Sequence, residues 1–198
     1  MAQRRHHYEQ AFEAFLRAER IPYVAVNEAK KALLPRLPEP AWGEARPEAS
    51  LKSFDFVVYG AGLNLLVEIK GRRVPVRRDG ASARRLESWV AADDVSSMLA
   101  WEGLFGPEFR AVFLFMYWHD ALPADGLFEE IVEHRGRWYA LRAVGVREYA
   151  AAMRVRSPRW GTVDLPGAVY ARLSQPFRGS LAASGVGLAE PAMEPIGG

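Results

Sequence analysis

Two short runs of β-forming residues, 54–59 (FDFVVY) and 63–69 (LNLLVEI), are joined only by Gly60-Ala61-Gly62. Val, Leu, Ile and aromatic side chains suit a pleated surface, and a glycine-rich link of this length lets the chain reverse at once. The pair is expected to form a β-hairpin, which commits the chain to building a sheet around it. A third run, residues 111–118 (AVFLFMYW), is apolar on both alternating faces. Such a strand must be covered on both sides, so it belongs at the centre of a sheet between helices.

The segments around these runs supply the covers. Tyr8, Ala11, Phe12, Phe15 and Leu16 recur at helical spacing, so residues 5–19 read as an amphipathic helix that Pro22 ends. Residues 23–26 read as a short strand, and the proline-rich stretch 35–47 as an irregular connection. Asp93 or Asp94 is placed to cap a helix whose buried stripe is Val95, Met98, Leu99, Glu102 and Phe105, with Gly103 or Gly106 as its stop. Residues 131–133 and 137–143 flank His134-Arg135-Gly136 as a second hairpin, and 146–154 reads as a short helix. The order is α-β-β-β-α-β, followed by C-terminal additions. The fold class is α/β, with a central mixed sheet flanked by helices.

Beyond Ser157 the pattern weakens, and from Gly179 onward the chain is Gly, Ala, Ser and Pro with almost no bulky residue. One domain over residues 1–178 and a disordered tail over 179–198 are expected, since 198 residues would leave two domains cramped. The chain has no cysteine, so disulfides, thiolate zinc sites and cysteine nucleophiles are excluded, and any metal must sit on oxygen or imidazole. No stretch reaches the roughly 18 to 20 apolar residues of a membrane span, and the basic N-terminus has no apolar signal core. No membrane partner is expected, and a cytoplasmic location is the default. The formal net charge of +2 is a weak pointer to a polyanion, because clustering matters more than the total.

The chemistry concentrates in the first hairpin. Residues two apart on a strand point the same way, so Glu68 and Lys70 share one face while Val67 and Ile69 take the other. Burying the apolar side leaves both charges over a cleft or solvent. Asp55 lies on the partner strand and can approach Glu68 across the pair. Two carboxylates and an ammonium in one small volume suit phosphodiester hydrolysis. Mg²⁺ takes hard oxygen ligands, usually one or two carboxylates with water and phosphate filling the rest, and it acidifies a bound water. Asp55 and Glu68 are the expected ligands, and Lys70 the cation that orients water or stabilises the developing oxyanion.

Asp55, a gap, and Glu68-Ile69-Lys70 resemble the signature of the PD-(D/E)XK, or restriction-endonuclease-like, nuclease superfamily, with Phe54 where that pattern carries proline. The resemblance spans roughly residues 5–118 and implies an α-β-β-β-α-β core and a Mg²⁺-dependent endonuclease, Mn²⁺ being able to substitute. It also implies an additional acid from the first helix. Glu9 is the candidate, because it borders the apolar stripe while Glu13 turns toward solvent and pairs with Arg17. A narrower resemblance, to the HYExAFE family of uncharacterised bacterial proteins, rests on residues 7–13 (HYEQAFE).

Arg72, Arg73, Arg77, Arg78, Arg84 and Arg85 crowd the stretch after Lys70, which reads as a polar loop, opposed only by Asp79. Beside a cleavage strand such a run is placed to hold phosphates through salt-sensitive contacts, with Trp89 as a stacking partner. Trp101, Trp118 and Trp138 are assigned to the core, His119, at the end of the buried strand, reads as a loop histidine before a group that supports the site, and His7 stands between packing and the active centre. The expected partner is nucleic acid, DNA before RNA, with a homodimer left open. The rival reading is a catalytically inactive nucleic-acid-binding module on the same fold, and a third is an interaction subunit with exposed aromatics.

Overall fold

The computed structural model describes residues 3–26, 51–74, 86–120, 122 and 130–182. The first apolar stripe becomes helix α1 (Gln3–Ala18), with Ala11, Phe12, Phe15 and Leu16 all buried. A turn through Arg20 and Pro22 leads into β1 (Tyr23–Ala25). β1 pairs antiparallel with β2 (Phe56–Val58), and β2 pairs antiparallel with β3 (Asn64–Val74). The expected hairpin is present, but β3 runs on past Ile69. Arg72 and Arg73, expected in a loop, therefore lie on a strand. The reason is the neighbour on the other side: β5 (Phe109–His119) runs parallel to β3 in unbroken register from Asn64↔Phe109 to Val74↔His119. That ladder satisfies the β3 backbone whatever side chains it carries.

Helix α2 (Ala92–Phe105) makes the crossover between these parallel strands and follows the two-residue β4 (Val90–Ala91). The expected order α-β-β-β-α-β is thus found with one addition, the short β4 between β3 and α2. Neither aspartate caps α2, however. Its N-cap is Ala91, and Asp93 and Asp94 sit in the first turn, where negative charge is favoured by the helix dipole. The stop is Gly106, at φ 88°. Val95, Met98 and Glu102 are buried as expected, while Leu99 and Phe105 are only half-buried.

β5 contributes a run of seven buried residues, 111–117, because it is central and covered on both faces. Its other neighbour is β7 (Arg137–Gly145), which is joined to β6 (Ile131–His134) by a tight turn. Arg135 and Gly136 are both left-handed in that turn, the geometry that matches the twist of a two-residue hairpin. α3 (Val146–Ala152) is shorter than expected, since Arg154 already begins β8 (Arg154–Ser157). β8 pairs with β9 (Thr162–Asp164), and β9 with β4, which gives a separate three-stranded sheet. α4 (Gly167–Leu173), β10 (Gln175–Pro176) and α5 (Phe177–Ala182) are the last elements of the described residues. α5 carries residues 179–182 into the segment expected as tail, because Phe177 is buried against Phe12 and Phe15 and anchors it.

The main sheet has the order β1-β2-β3-β5-β7-β10, with β6 also paired to β7. One face packs α1 and α5, through Phe12, Leu16 and Phe177 on Leu65, Val67, Leu114 and Met116. The opposite face packs α2, α3 and α4, through Val95, Met98, Tyr149 and Tyr170 on Leu66, Phe113 and Phe115. Each of these large apolar side chains contributes about 1.5–3 kcal/mol when buried, so both layers are strongly held. Among the described residues no helix is long and apolar enough to cross a membrane.

Candidate functional site

The face of β3 that carries Leu66 also carries Glu68 and Lys70, and it looks toward α2 rather than into solvent. Leu66 is sealed in the core, and two residues later the same face emerges at the rim of a cleft of about 290 Å³. Glu9, Lys52, Asp55, Glu68, Lys70 and Asp94 all line that cleft. β2 and β3 bring the acids there by register: Phe56 lies opposite Val67, so Asp55, one residue earlier, falls opposite Glu68. The Asp55 amide closes that step by donating to the Val67 carbonyl at 2.9 Å.

Lys70 is only 9% exposed, and its ammonium donates to Glu68 Oε1 at 2.9 Å and to Asp94 Oδ2 at 2.6 Å. A buried ammonium needs such partners, and with two carboxylates around it Lys70 is fixed in place. Asp94 was not singled out for this site, because at the start of a helix it reads as a cap. Its second oxygen, Oδ1, accepts from Lys52 Nζ at 2.9 Å. Burial pushes the Asp94 carboxyl up, but the charge and hydrogen bond of Lys70 and those of Lys52 outweigh it and hold the group below its usual range. The only early signal was two adjacent acids directly ahead of the α2 stripe.

Asp55 differs. Its Oδ2 accepts from the Ile69 amide at 2.7 Å. Burial, followed by the negative charge of Glu68, nevertheless pushes its carboxyl up to about 8, against the opposing pull of the Ile69 hydrogen bond; Glu9 adds to the rise and Lys70 opposes it. Burial and a neighbouring carboxylate thus both disfavour the charged form of Asp55. The donor set fits a hard divalent cation: Asp55 and Glu68 are carboxylates facing across one hairpin, and a cation there relieves their repulsion. Among the described residues no three His, Cys, Asp or Glu side chains are grouped as a metal-binding cluster. Asp55 and Glu68 would supply two carboxylates to such a cation, and Mg²⁺ commonly takes one or two from protein with water or phosphate oxygen in its other positions.

Glu9 reaches the cleft because α1 lies unusually close to β3. A Cβ at Gly71 would stand 2.3 Å from the Tyr8 ring, so only glycine permits that approach. Glu13 faces outward and pairs with Arg17 at 2.7 Å, as expected. His7 stays outside the cleft. It packs on Tyr8 and Trp118, and its Nδ1 is hydrogen-bonded with the Tyr139 hydroxyl at 3.0 Å. Burial, then the charge of Arg137, lowers its pKa. His119 is the last residue of β5, not a loop residue.

The arginines divide. Arg72 is half-buried, lines the cleft, stacks over Trp89 at 4.1 Å and donates to the Gly71 and Trp89 carbonyls. That guanidinium is engaged with Trp89, so Trp89 is a cation-stacked wall residue. Arg73 is exposed, lies over Trp118 at 4.9 Å and pairs with Asp120 at 3.0 Å. Arg77, Arg78, Arg84 and Arg85 lie outside the described residues. Trp101, Trp118 and Trp138, expected in the core, are all half-buried. Trp101 keeps its indole N–H bonded to the Lys52 carbonyl at 2.7 Å, and Trp118 lies between Arg73 and Arg137.

No protein-family profile matches the chain, and no curated protein matches it. The resemblance at residues 7–13 gains no support from them. Among solved structures the chain is similar to Hjc, a Holliday junction resolvase of the archaeal hyperthermophile Archaeoglobus fulgidus. The two share 13% identity over 89% of this chain and 93% of that one, with a TM-score of 0.49.

Proposed function

We propose that the chain is a metal-dependent nuclease of the PD-(D/E)XK type, acting on nucleic acid with DNA as the expected form. The observation that carries this reading is the convergence of Asp55, Glu68 and a buried Lys70 on one cleft between β2, β3 and α2. Asp55 and Glu68 hold the divalent cation, Mg²⁺ or in its place Mn²⁺, and Glu9 is the auxiliary acid from α1. A cation bound there neutralises charge on the scissile phosphate and supplies a water acidic enough to attack near neutral pH.

The protein's own groups do the positioning. The Ile69 amide orients the Asp55 carboxylate, and Asp94 holds the Lys70 ammonium against the cleft. Lys70 meets the anionic charge that grows during displacement, an interaction stronger in the transition state than in the ground state. Asp94 is thus a positioning residue, not a ligand.

Nicking of supercoiled plasmid by the purified chain with Mg²⁺ or Mn²⁺ tests the reading. Lys70→Ala is expected to lower the rate roughly hundred- to thousandfold, and Glu68→Ala to abolish nicking. Equal inertness of the wild type and Glu68→Ala toward both DNA and RNA would overturn it.

One observation favours an inactive nucleic-acid-binding module instead: Glu68 is already engaged by Lys70. That reading requires salt-dependent binding that chelator leaves unchanged and no cleavage under any metal.

A further inference from the structure

The three-stranded sheet lies beside the cleft and has no part in the chemistry described. Trp89, Val90 and Ala91 line the cleft, and the next amide, Ala92, donates to the Gly161 carbonyl at 2.8 Å. The turn that carries Arg159 and Trp160 is thereby fastened to the start of α2, the helix that bears Asp94. β8 is the outer strand of this sheet, and Arg154, Val155 and Arg156 are all exposed. Trp160 is 73% exposed, with the Arg159 guanidinium 5.4 Å from its ring.

A break in pairing gives Arg156 its direction. Val155 lies opposite Val163 and Ser157 opposite Thr162, so Arg156 is the extra residue of a bulge. Bulges re-aim side chains, and here the guanidinium lies 5.1 Å from the Trp89 ring, which also carries Arg72 at 4.1 Å. A column of Arg72, Trp89 and Arg156 thus leads from the catalytic strand out to the β8 edge. Arg154 is paired with Asp164 at 2.9 Å. Among the described residues Arg156 and Arg159 make no ion pair with a carboxylate, although Arg156 shares a small pocket with Glu87 and Asp164, and their cation–ring contacts are with Trp89 and Trp160.

We infer that the β8 edge and the Trp160 turn bind single-stranded nucleic acid running away from the cleft, with a base stacked on Trp160 and phosphates held by Arg156 and Arg159. The inference rests on the nuclease reading of the cleft and adds a substrate class to it: strands unpaired on one side of the scissile bond. Single-stranded binders combine these two elements, since every base offers a π-face to an open aromatic and every nucleotide a phosphate to a cation. Duplex bases are already stacked and cannot use Trp160. Self-pairing of two β8 edges would bring arginines of both copies together, and such like charges disfavour a second copy as the occupant.

Binding of a fluorescein-labelled oligothymidine and of a blunt duplex of equal length, measured by anisotropy in chelator, tests the assignment. Trp160→Ala is expected to weaken oligothymidine binding roughly tenfold, within the range for one stacked base, and to leave duplex binding nearly unchanged. Arg159→Ala should lower the salt slope on the single strand by roughly 0.7. Unchanged oligothymidine affinity in both variants overturns the β8 assignment and leaves the cleft reading standing. A wild-type chain that binds neither oligonucleotide overturns both. A concentration-dependent dimer that Trp160→Ala dissolves, with no effect on oligothymidine, makes the edge a self-association surface and overturns the assignment too.

Discussion

At the scale of single residues, the cleft balances two lysines against several acids, and Asp55 is the member left without adequate compensation. Its carboxyl titrates near 8 in the folded chain against an ordinary value of 3.8. Between those two pH values the folded state binds more protons than the unfolded state, so stability is greatest in acid and falls as the pH rises through about 8. Urea unfolding in chelator should show that decline, and Asp55→Asn should flatten it. At pH 8 a divalent cation should restore stability to the wild type and not to the variant. A wild type equally stable at pH 5 and pH 8 would remove the electrostatic premise. Asp94→Asn should lower kcat by roughly ten- to hundredfold with little change in KM, because it loosens the hold on Lys70 without touching substrate. An increase in KM alone would make Asp94 a binding residue. Glu68 and Lys70 were legible as a pair because strand periodicity is local, and Asp55 because hairpin register is. Asp94 was hidden: its bond to Lys70 spans 24 positions of sequence and depends on how α2 lies over the sheet.

At the scale of elements, the site depends on two close approaches that hold α1 and α2 against the sheet. On the α1 side, Gly71 admits the Tyr8 ring. Gly71→Ala should cost about 1–3 kcal/mol, as overpacking does, and lower Tm by several degrees. A melt indistinguishable from wild type would show that Tyr8 yields freely. On the α2 side, the buried Glu102 carboxylate accepts from the Ala111 amide at 2.6 Å and from Arg147, which ties the helix to the central strand. Glu102→Ala leaves that amide unpaired and should destabilise by about 1–3 kcal/mol; chemical denaturation measures it. The sequence made α1, both hairpins, α2 and the central strand readable because each carries many residues of one periodicity. The sheet formed by β4, β8 and β9 was not readable, since strands of two to four residues are too short to display a period. β3 also outran its apolar stretch, because parallel pairing with β5 does not require apolar side chains.

At the scale of the whole molecule, two apolar layers clamp one mixed sheet, and the charged residues of β3 begin where those layers end. The arrangement puts a rigid strand beneath the cleft and a cationic, aromatic edge next to it. On the proposed nuclease reading, binding of nucleic acid should weaken as salt rises, and Arg73→Gln should lower the slope of log affinity against log salt by roughly 0.9 on duplex DNA. An unchanged slope would place Arg73 in service of Trp118 and Asp120 alone.

Asp55 and Glu68 are proposed to share a divalent cation, and anomalous diffraction from a crystal soaked in Mn²⁺ observes this directly. One strong peak is expected within ligand distance of both carboxylates, absent from Glu68→Ala. A fully soaked crystal with no peak there, and the Glu68–Lys70 ion pair intact, would contradict it.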